Sequence, residues 1–296
     1  MREDVEFDAG GTTLRGWHYR DPGVQQQACI VMSHGFSAVK EMGLDDYADV
    51  FAAAGFSVLA YDNRNFGASD GEPRQEVDHQ RQRQDYSHAI DWVSSQRGID
   101  PERIGVWGTS YSGGIAITTG ALDKRVKCVV AQVPYLHSGK TQARLRSREE
   151  QAATERLIDK ERQSLRDDNA PTLLAVCSDD PNQSWDSGTR LSWRYFNHFV
   201  EAGRADTWRN VFTVSSLELG QSYDALAHIA NVAPTPLMLI VAQNDNITPT
   251  EIALEAFDIA LQPKSLVTIK GHHYRPYLEE FSSSSSAARD WFLEHL

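Results

Sequence analysis

The sequence predicts an α/β fold, a mostly parallel doubly wound sheet with a helical cap inserted into it. Three observations carry that prediction. Short apolar runs alternate with amphipathic stretches from residue 29 onward, the pattern of strands and helices laid down in turn around a parallel sheet. The alternation stops between residues 137 and 232 and then resumes. The ends of the strand-like runs on either side of that gap carry a serine, an aspartate and a histidine.

Residues 5–7 and 12–19, joined across Ala9-Gly10-Gly11, form an antiparallel hairpin in this reading. Strands follow at 29–32, 57–61, 104–107, 126–131, 236–242 and 265–269, with helices at 44–54, 80–97, 113–122, 250–260 and 286–296. A parallel sheet covered on both faces binds ligands at the carboxyl ends of its strands. The interrupting stretch is helical and charged without clear strands, which divides the chain into a core of 1–136, a cap of 137–232 and a second core segment of 233–296. The cap holds 12 Lys/Arg against 14 Asp/Glu, so −10 of the chain's net charge of −12 lies on the sheet domain. Trp185, Trp193, Phe196, Phe199, Trp208 and Tyr223 are the aromatic candidates for lining a pocket beneath the cap, the alternative being that they form the cap's own core. The serine run 282–286 is expected as a surface turn before the last helix.

Composition bounds the partners. The chain has 296 residues, 41% hydrophobic and 24% charged, the make-up of an ordinary globular protein. The net negative charge excludes nucleic acid and anionic membrane surfaces as partners. An acidic N-terminus, Met1-Arg2-Glu3-Asp4, and the lack of any apolar run near 18 residues predict a cytoplasmic protein without a membrane partner. Cys29, Cys128 and Cys177 are isolated, with neither metal-ligand spacing nor a disulfide framework, and are expected as buried thiols. No metal and no organic cofactor is expected, and a homodimer is compatible with this composition.

The chemistry centres on Ser110. In Gly105-Val106-Trp107-Gly108-Thr109-Ser110-Tyr111-Ser112-Gly113-Gly114 an apolar strand breaks into small residues around one serine and resumes as a helix. A nucleophile elbow needs small residues two before and two after the serine, because the strand-to-helix turn leaves no room for larger ones; Gly108 and Ser112 fill those positions. A serine hydroxyl needs a base in hydrogen-bond reach, itself oriented by a third group. Asp245 follows the strand 236–242, and the pair His272-His273 follows the strand 265–269, in the chain order serine, acid, histidine. Spacing alone does not choose between the two histidines. The loop after 126–131 offers no carboxylate that competes with Asp245. Backbone N–H donors for an oxyanion are expected from Tyr111, next to the serine, and from Phe36 in Ser33-His34-Gly35-Phe36, where Gly35 lets the backbone approach the reacting carbon. His34 is expected to tie neighbouring loops together.

These residues resemble the α/β-hydrolase superfamily across nearly the whole chain. More narrowly, the segments 33–41, 61–73 and 108–114 resemble bacterial proteins of the dienelactone-hydrolase-like or X-Pro-dipeptidyl-peptidase-like branch, relatives of fungal polyketide acyltransferases. In that branch the histidine loop commonly reads Gly-Gly-His-Phe with Pro-Tyr soon after. Laid on Gly271-His272-His273-Tyr274-Arg275-Pro276-Tyr277, the resemblance implies that His273 is the catalytic base and that His272 replaces a glycine. It also implies a serine hydrolase that cleaves a small to medium carboxylic ester, lactone or thioester through an acyl-enzyme on Ser110. Its rivals are an acyltransferase moving a polyketide-type acyl group from a carrier protein to an alcohol or amine, and a non-catalytic binding protein on a hydrolase scaffold.

Overall fold

A computed structural model describes residues 1–180 and 189–296. The chain opens with an antiparallel pair, β1 (Arg2–Asp8) and β2 (Thr13–Tyr19). It continues as β3 (Gln27–Ser33), α1 (Leu44–Ala53), β4 (Ser57–Tyr61), α2 (His79–Ser94), β5 (Ile99–Thr109), α3 (Tyr111–Leu122) and β6 (Val126–Gln132). After a long excursion come β9 (Leu237–Ala242), α9 (Thr250–Ile259), β10 (Lys264–Ile269) and α10 (Phe281–His295). The sheet order is β1-β2-β4-β3-β5-β6-β9-β10, antiparallel as far as the β2–β4 contact and parallel beyond it.

The strands read as continuous apolar runs because both faces are covered. Along β3, Cys29 and Val31 join the core beneath α2, α3 and α9, while Ile30 and Met32 join the core beneath α1 and α10. That alternation follows from the two-residue period of a strand. The Asp78 side chain caps α2 by accepting the Gln80 and Arg81 N–H groups. All three cysteines are buried.

Between β6 and β9 the chain forms α4 (Ser138–Leu145), α5 (Arg148–Arg166), β7 (Leu173–Ala175), α6 (Thr189–Glu201), β8 (Val211–Thr213), α7 (Ser215–Leu219) and α8 (Leu226–Ile229). Ser147 and Glu150 close a reciprocal capping box at the start of α5. The expectation of a region without strands needs correction, since β7 and β8 pair antiparallel from Leu173↔Thr213 to Ala175↔Val211. Three residues are too few to show a two-residue period, so nothing local marks them.

The serine run also departs from expectation. Instead of a surface turn it lies within α10, with Ser284 and Ser285 buried. The Ser284 hydroxyl sits 2.7 Å from the Pro276 carbonyl and 2.6 Å from the Tyr47 phenol, so hydrogen bonding rather than apolar character carries it into the interior.

A buried histidine gives the fold a pH dependence. His18 lies 2.8 Å by its Nε2 from the Ser57 hydroxyl, and burial lowers its pKa from 6.5 to about 4. The unfolded chain therefore binds this proton more readily than the folded one. The contribution is complete above pH 6.5 and is lost as pH falls toward 4, to the extent of about 3 kcal/mol. A denaturant midpoint that falls across this window, with a smaller fall in His18→Gln, is the expected result.

Among the described residues, no helix is long and apolar enough to cross a membrane, and no group of three or more His, Cys, Asp or Glu is arranged to hold a metal ion.

Candidate active site

Strand β5 ends at Thr109 and α3 begins at Tyr111, so the whole turn is made at Ser110, whose φ is 53° and ψ −117°. Left-handed backbone at a non-glycine residue is costly and persists where surrounding bonds enforce it. Here the Ser110 N–H donates to the Gln132 carbonyl at 2.8 Å, and the Ser110 carbonyl accepts from the Tyr135 N–H at 2.7 Å. A Cβ on Gly108 would stand 2.2 Å from the Ser112 carbonyl oxygen, which is why that position is glycine. Ser112 holds the other small position by an active contribution. Its hydroxyl accepts the Thr109 N–H at 2.9 Å and donates to the Ser33 carbonyl at 2.7 Å, tying β5 to β3 at their carboxyl ends.

Of the two histidines, the fold brings His273 to the serine. Its Nε2 is 3.1 Å from Ser110 Oγ and its Nδ1 is 2.8 Å from Asp245 Oδ2. Asp245 is oriented in turn by the Ile247 and Thr248 N–H groups on Oδ1, at 2.9 and 2.8 Å. The His273 and Asp245 side chains are only 2% and 1% exposed, so the pair is shielded from water. His272 is half-buried and its Nδ1 accepts the Tyr274 N–H at 3.3 Å; burial pushes its pKa down. Gly271 turns the loop with φ 103°, where a Cβ would meet the Arg275 side chain at 2.7 Å.

The loop after β3 closes the other side. A Cβ on Gly35 would stand 3.1 Å from Ser110 Cβ, so glycine permits the approach. His34 Nε2 accepts the Asn63 N–H at 3.0 Å and Nδ1 donates to the Gly35 carbonyl at 2.9 Å, the loop tie expected of it. Burial lowers its pKa, in keeping with a neutral ring. Farther along, the buried Asp62 carboxylate accepts both the backbone N–H and the ammonium of Lys40, each at 2.8 Å, and the Ala68 N–H at 2.9 Å. Segment 61–73 thus fastens the loop that carries Phe36. Tyr111 opens α3, where its N–H has no carbonyl to reach within the helix.

The family profile of the X-Pro dipeptidyl-peptidase (S15 family) matches residues 10–275. The chain belongs to the S15 family. Thiohydrolase aneE of Aspergillus aculeatus is 33% identical over 270 residues, 89% of this chain and 83% of that one. The solved α/β hydrolase GrgF from Penicillium sp. sh18 has a TM-score of 0.85 at 28% identity, covering 100% of this chain and 99% of that one. The structure of DcsB in complex with its substrate analogue has a TM-score of 0.89 at 25% identity, covering all of both chains. The fold of this S15-family chain is that of the α/β-hydrolases.

Above Ser110 and His273 the S15-family chain forms a pocket of about 200 Å³. Because β5 lies between β3 and β6 in the sheet, the loops that follow those two strands flank the serine on opposite sides. One flank is apolar, from Ala38, Met42 and Leu44 after β3 together with Val176, Tyr195 and Phe196. The other is polar, from Tyr135, Ser138, Thr141, Gln142 and Arg146 after β6. Burial holds the Tyr135 phenol above its ordinary value.

Most of the expected pocket aromatics are placed elsewhere. Tyr223 is buried behind the wall, donating its hydroxyl to the Tyr111 carbonyl at 2.6 Å and packing on the Tyr111 and Tyr135 rings at 4.7 and 5.1 Å. Trp208 donates its Nε1–H to the Ser37 carbonyl at 2.9 Å and stacks on Phe196. Trp193 packs against the core beneath α1 and α10. None of these three lines the cavity, and Trp185 lies outside the described residues. Phe196 does line the cavity, as expected of a cap aromatic, and the lining aromatics that sequence reasoning missed are Tyr135, Tyr195, Tyr274 and Tyr277. Only Tyr274 and Tyr277 had a signal, their place beside His273.

Proposed function

We propose that this protein is a serine hydrolase that cleaves a small to medium carboxylic ester, lactone or thioester. The observation that carries the reading is the hydrogen-bonded chain from Ser110 through His273 to Asp245, opening on a pocket. In this reading Ser110 Oγ attacks the substrate carbonyl while His273 Nε2 takes its proton. The Nδ1–H stays on His273, and Asp245 stabilises the imidazolium. The N–H groups of Phe36 and Tyr111 receive the oxyanion. Collapse expels the leaving group, which takes the proton from His273 Nε2, and water activated by the same nitrogen releases the acid and restores Ser110. Residues 137–232 act as the cap that closes the cavity and sets substrate choice. The relative named a thiohydrolase supports a thioester among the substrates.

Acyl transfer is the second reading, favoured by polyketide transferase grgF of Penicillium sp., 31% identical over 91% of this chain and 88% of that one. Acyl carrier proteins are acidic, so a transferase using one needs a basic docking face. The basic residues at the start of the cap offer little of that. Lys140 is paired with Glu255 and Arg144 lies 3.9 Å from Glu251, both acids on α9.

The test is turnover of free esters and thioesters of graded chain length, each with and without a hydroxyl on the acyl chain, alongside a carrier-bound thioester with an alcohol acceptor. Hydrolysis of the free substrates without a carrier is expected. Transfer from the carrier much faster than hydrolysis would replace the first reading by the second. Gln142→Leu should lower kcat/KM for hydroxylated substrates by about 5- to 10-fold and leave the unsubstituted ones unchanged, as expected for the loss of one hydrogen bond. An equal decline for both would show that the polar flank does not recognise substrate.

A further inference from the structure

Thr248 stands at the acid end of the hydrogen-bonded chain and the reaction outlined above leaves it unused. Its hydroxyl oxygen is 2.9 Å from Asp245 Oδ2, 3.0 Å from the Val133 carbonyl oxygen and 3.2 Å from His273 Nδ1. Its own N–H already occupies Asp245 Oδ1. The residue is 5% exposed and lines the pocket. One hydroxyl proton therefore faces two acceptors, and both acceptors are fixed.

The second acceptor is held there against strain. Val133, the residue after β6, has φ 37°, a conformation that is an outlier for a β-branched side chain. Its N–H is anchored on the Ile240 carbonyl at 2.6 Å and its side chain is buried. Strained backbone beside reacting groups calls for a functional account, and here its product is a carbonyl aimed at Thr248.

We propose that Thr248 is a positioning residue whose hydroxyl turns between Asp245 and Val133 as His273 gains and loses its proton. With His273 neutral, the hydroxyl donates to Asp245 Oδ2 and draws charge from the oxygen that receives the Nδ1–H. When Nε2 takes the serine proton, the hydroxyl swings to the Val133 carbonyl. Asp245 Oδ2 is then left wholly to the imidazolium, and a lone pair of Thr248 Oγ1 faces Nδ1–H as a second acceptor. No bond is made or broken; the threonine proton stays on its oxygen and only the C–O torsion changes. The imidazolium is thereby favoured in the transition state more than in the resting enzyme, which is the condition for acceleration.

The inference rests on His273 being the base, so its test includes a readout that does not need turnover. The groups facing His273 are Asp245, the adjacent His272, and the phenols of Tyr274 and Tyr277. Arg275 and Glu279 act on His272 in turn. Burial holds the Tyr277 phenol well above its ordinary value and lowers the pKa of His272, the adjacent imidazole. The His273 ring is therefore titrated by NMR in a His272→Gly background, following its Nδ1 proton, and the acidic limb of kcat/KM is recorded alongside. Thr248→Val removes the oxygen that faces the imidazolium Nδ1–H as a second acceptor and should move the His273 titration down by about half a unit to one unit, with kcat lowered. Thr248→Ser keeps the hydroxyl and should restore both. A titration unchanged in Thr248→Val, or Thr248→Ser behaving like Thr248→Val, overturns the switch. Absence of any Ser110-dependent turnover in the unmodified protein would instead count against the hydrolase reading, with the NMR titration still deciding on Thr248.

Discussion

Ser110→Ala is expected to end covalent capture by a fluorophosphonate and to lower turnover by on the order of 10³- to 10⁶-fold. The protein should stay folded. Ser110 is the residue before α3 yet makes no side-chain hydrogen bond to the helix end, so its hydroxyl is no cap whose loss would loosen the turn. The bonds that enforce the turn come from backbone groups of Gln132 and Tyr135, which alanine leaves in place. A thermal midpoint close to that of the parent protein, together with loss of labelling, is the outcome that fits. Retained turnover in a contamination-free preparation sinks the mechanism, and inhibition by a chelator would point to a metal in its place.

The second large effect separates the two histidines. His273→Ala should lose nearly all activity, because no other described nitrogen is shown bonded to Ser110 Oγ. His272→Gly should keep most of it, since among the described residues the side-chain bond at stake is a 3.3 Å contact from the Tyr274 N–H. Asp245→Asn is expected to cost about 10⁴-fold. The Ile247 and Thr248 N–H groups claim the amide oxygen at the Oδ1 position, which turns the amide NH₂ toward His273. An amide donor there forces the Nδ1 lone pair inward and moves the ring proton to Nε2, where it blocks the serine. Steady-state kinetics of the three variants decide the matter. An inactive His272→Gly with an active His273→Ala would shift the assignment by one residue.

The sheet was legible because burial on both faces makes each parallel strand a continuous apolar run, as in Gln27–Ser33, where every residue is buried. The serine, aspartate and histidine were legible because the fold fixes which strand ends converge. What stayed hidden depends on partners distant in sequence. Ser284 is buried through bonds to Pro276 and Tyr47, and a serine run gives no local sign of such partners. The β7 and β8 strands exist only through each other. Tyr223 attracted attention as an aromatic ring, yet the bond that fixes it is its hydroxyl on the Tyr111 carbonyl, next to the proposed nucleophile. Tyr195 lines the cavity because α6 stacks it on Tyr274, a pairing that the spacing within α6 does not announce.

The serine and the histidine that meets it lie 163 residues apart, and the aspartate precedes that histidine by 28. A ribosome therefore completes the elbow and the loop after β3 long before it makes the proposed base. Until β10 pairs with β9, Ser110 lacks the imidazole that the proposed mechanism assigns to it. Closing so long a loop is entropically demanding and slow. In a refolding experiment, reactivity toward a serine probe would then report docking of the last parallel strand, and would return later than helical content does.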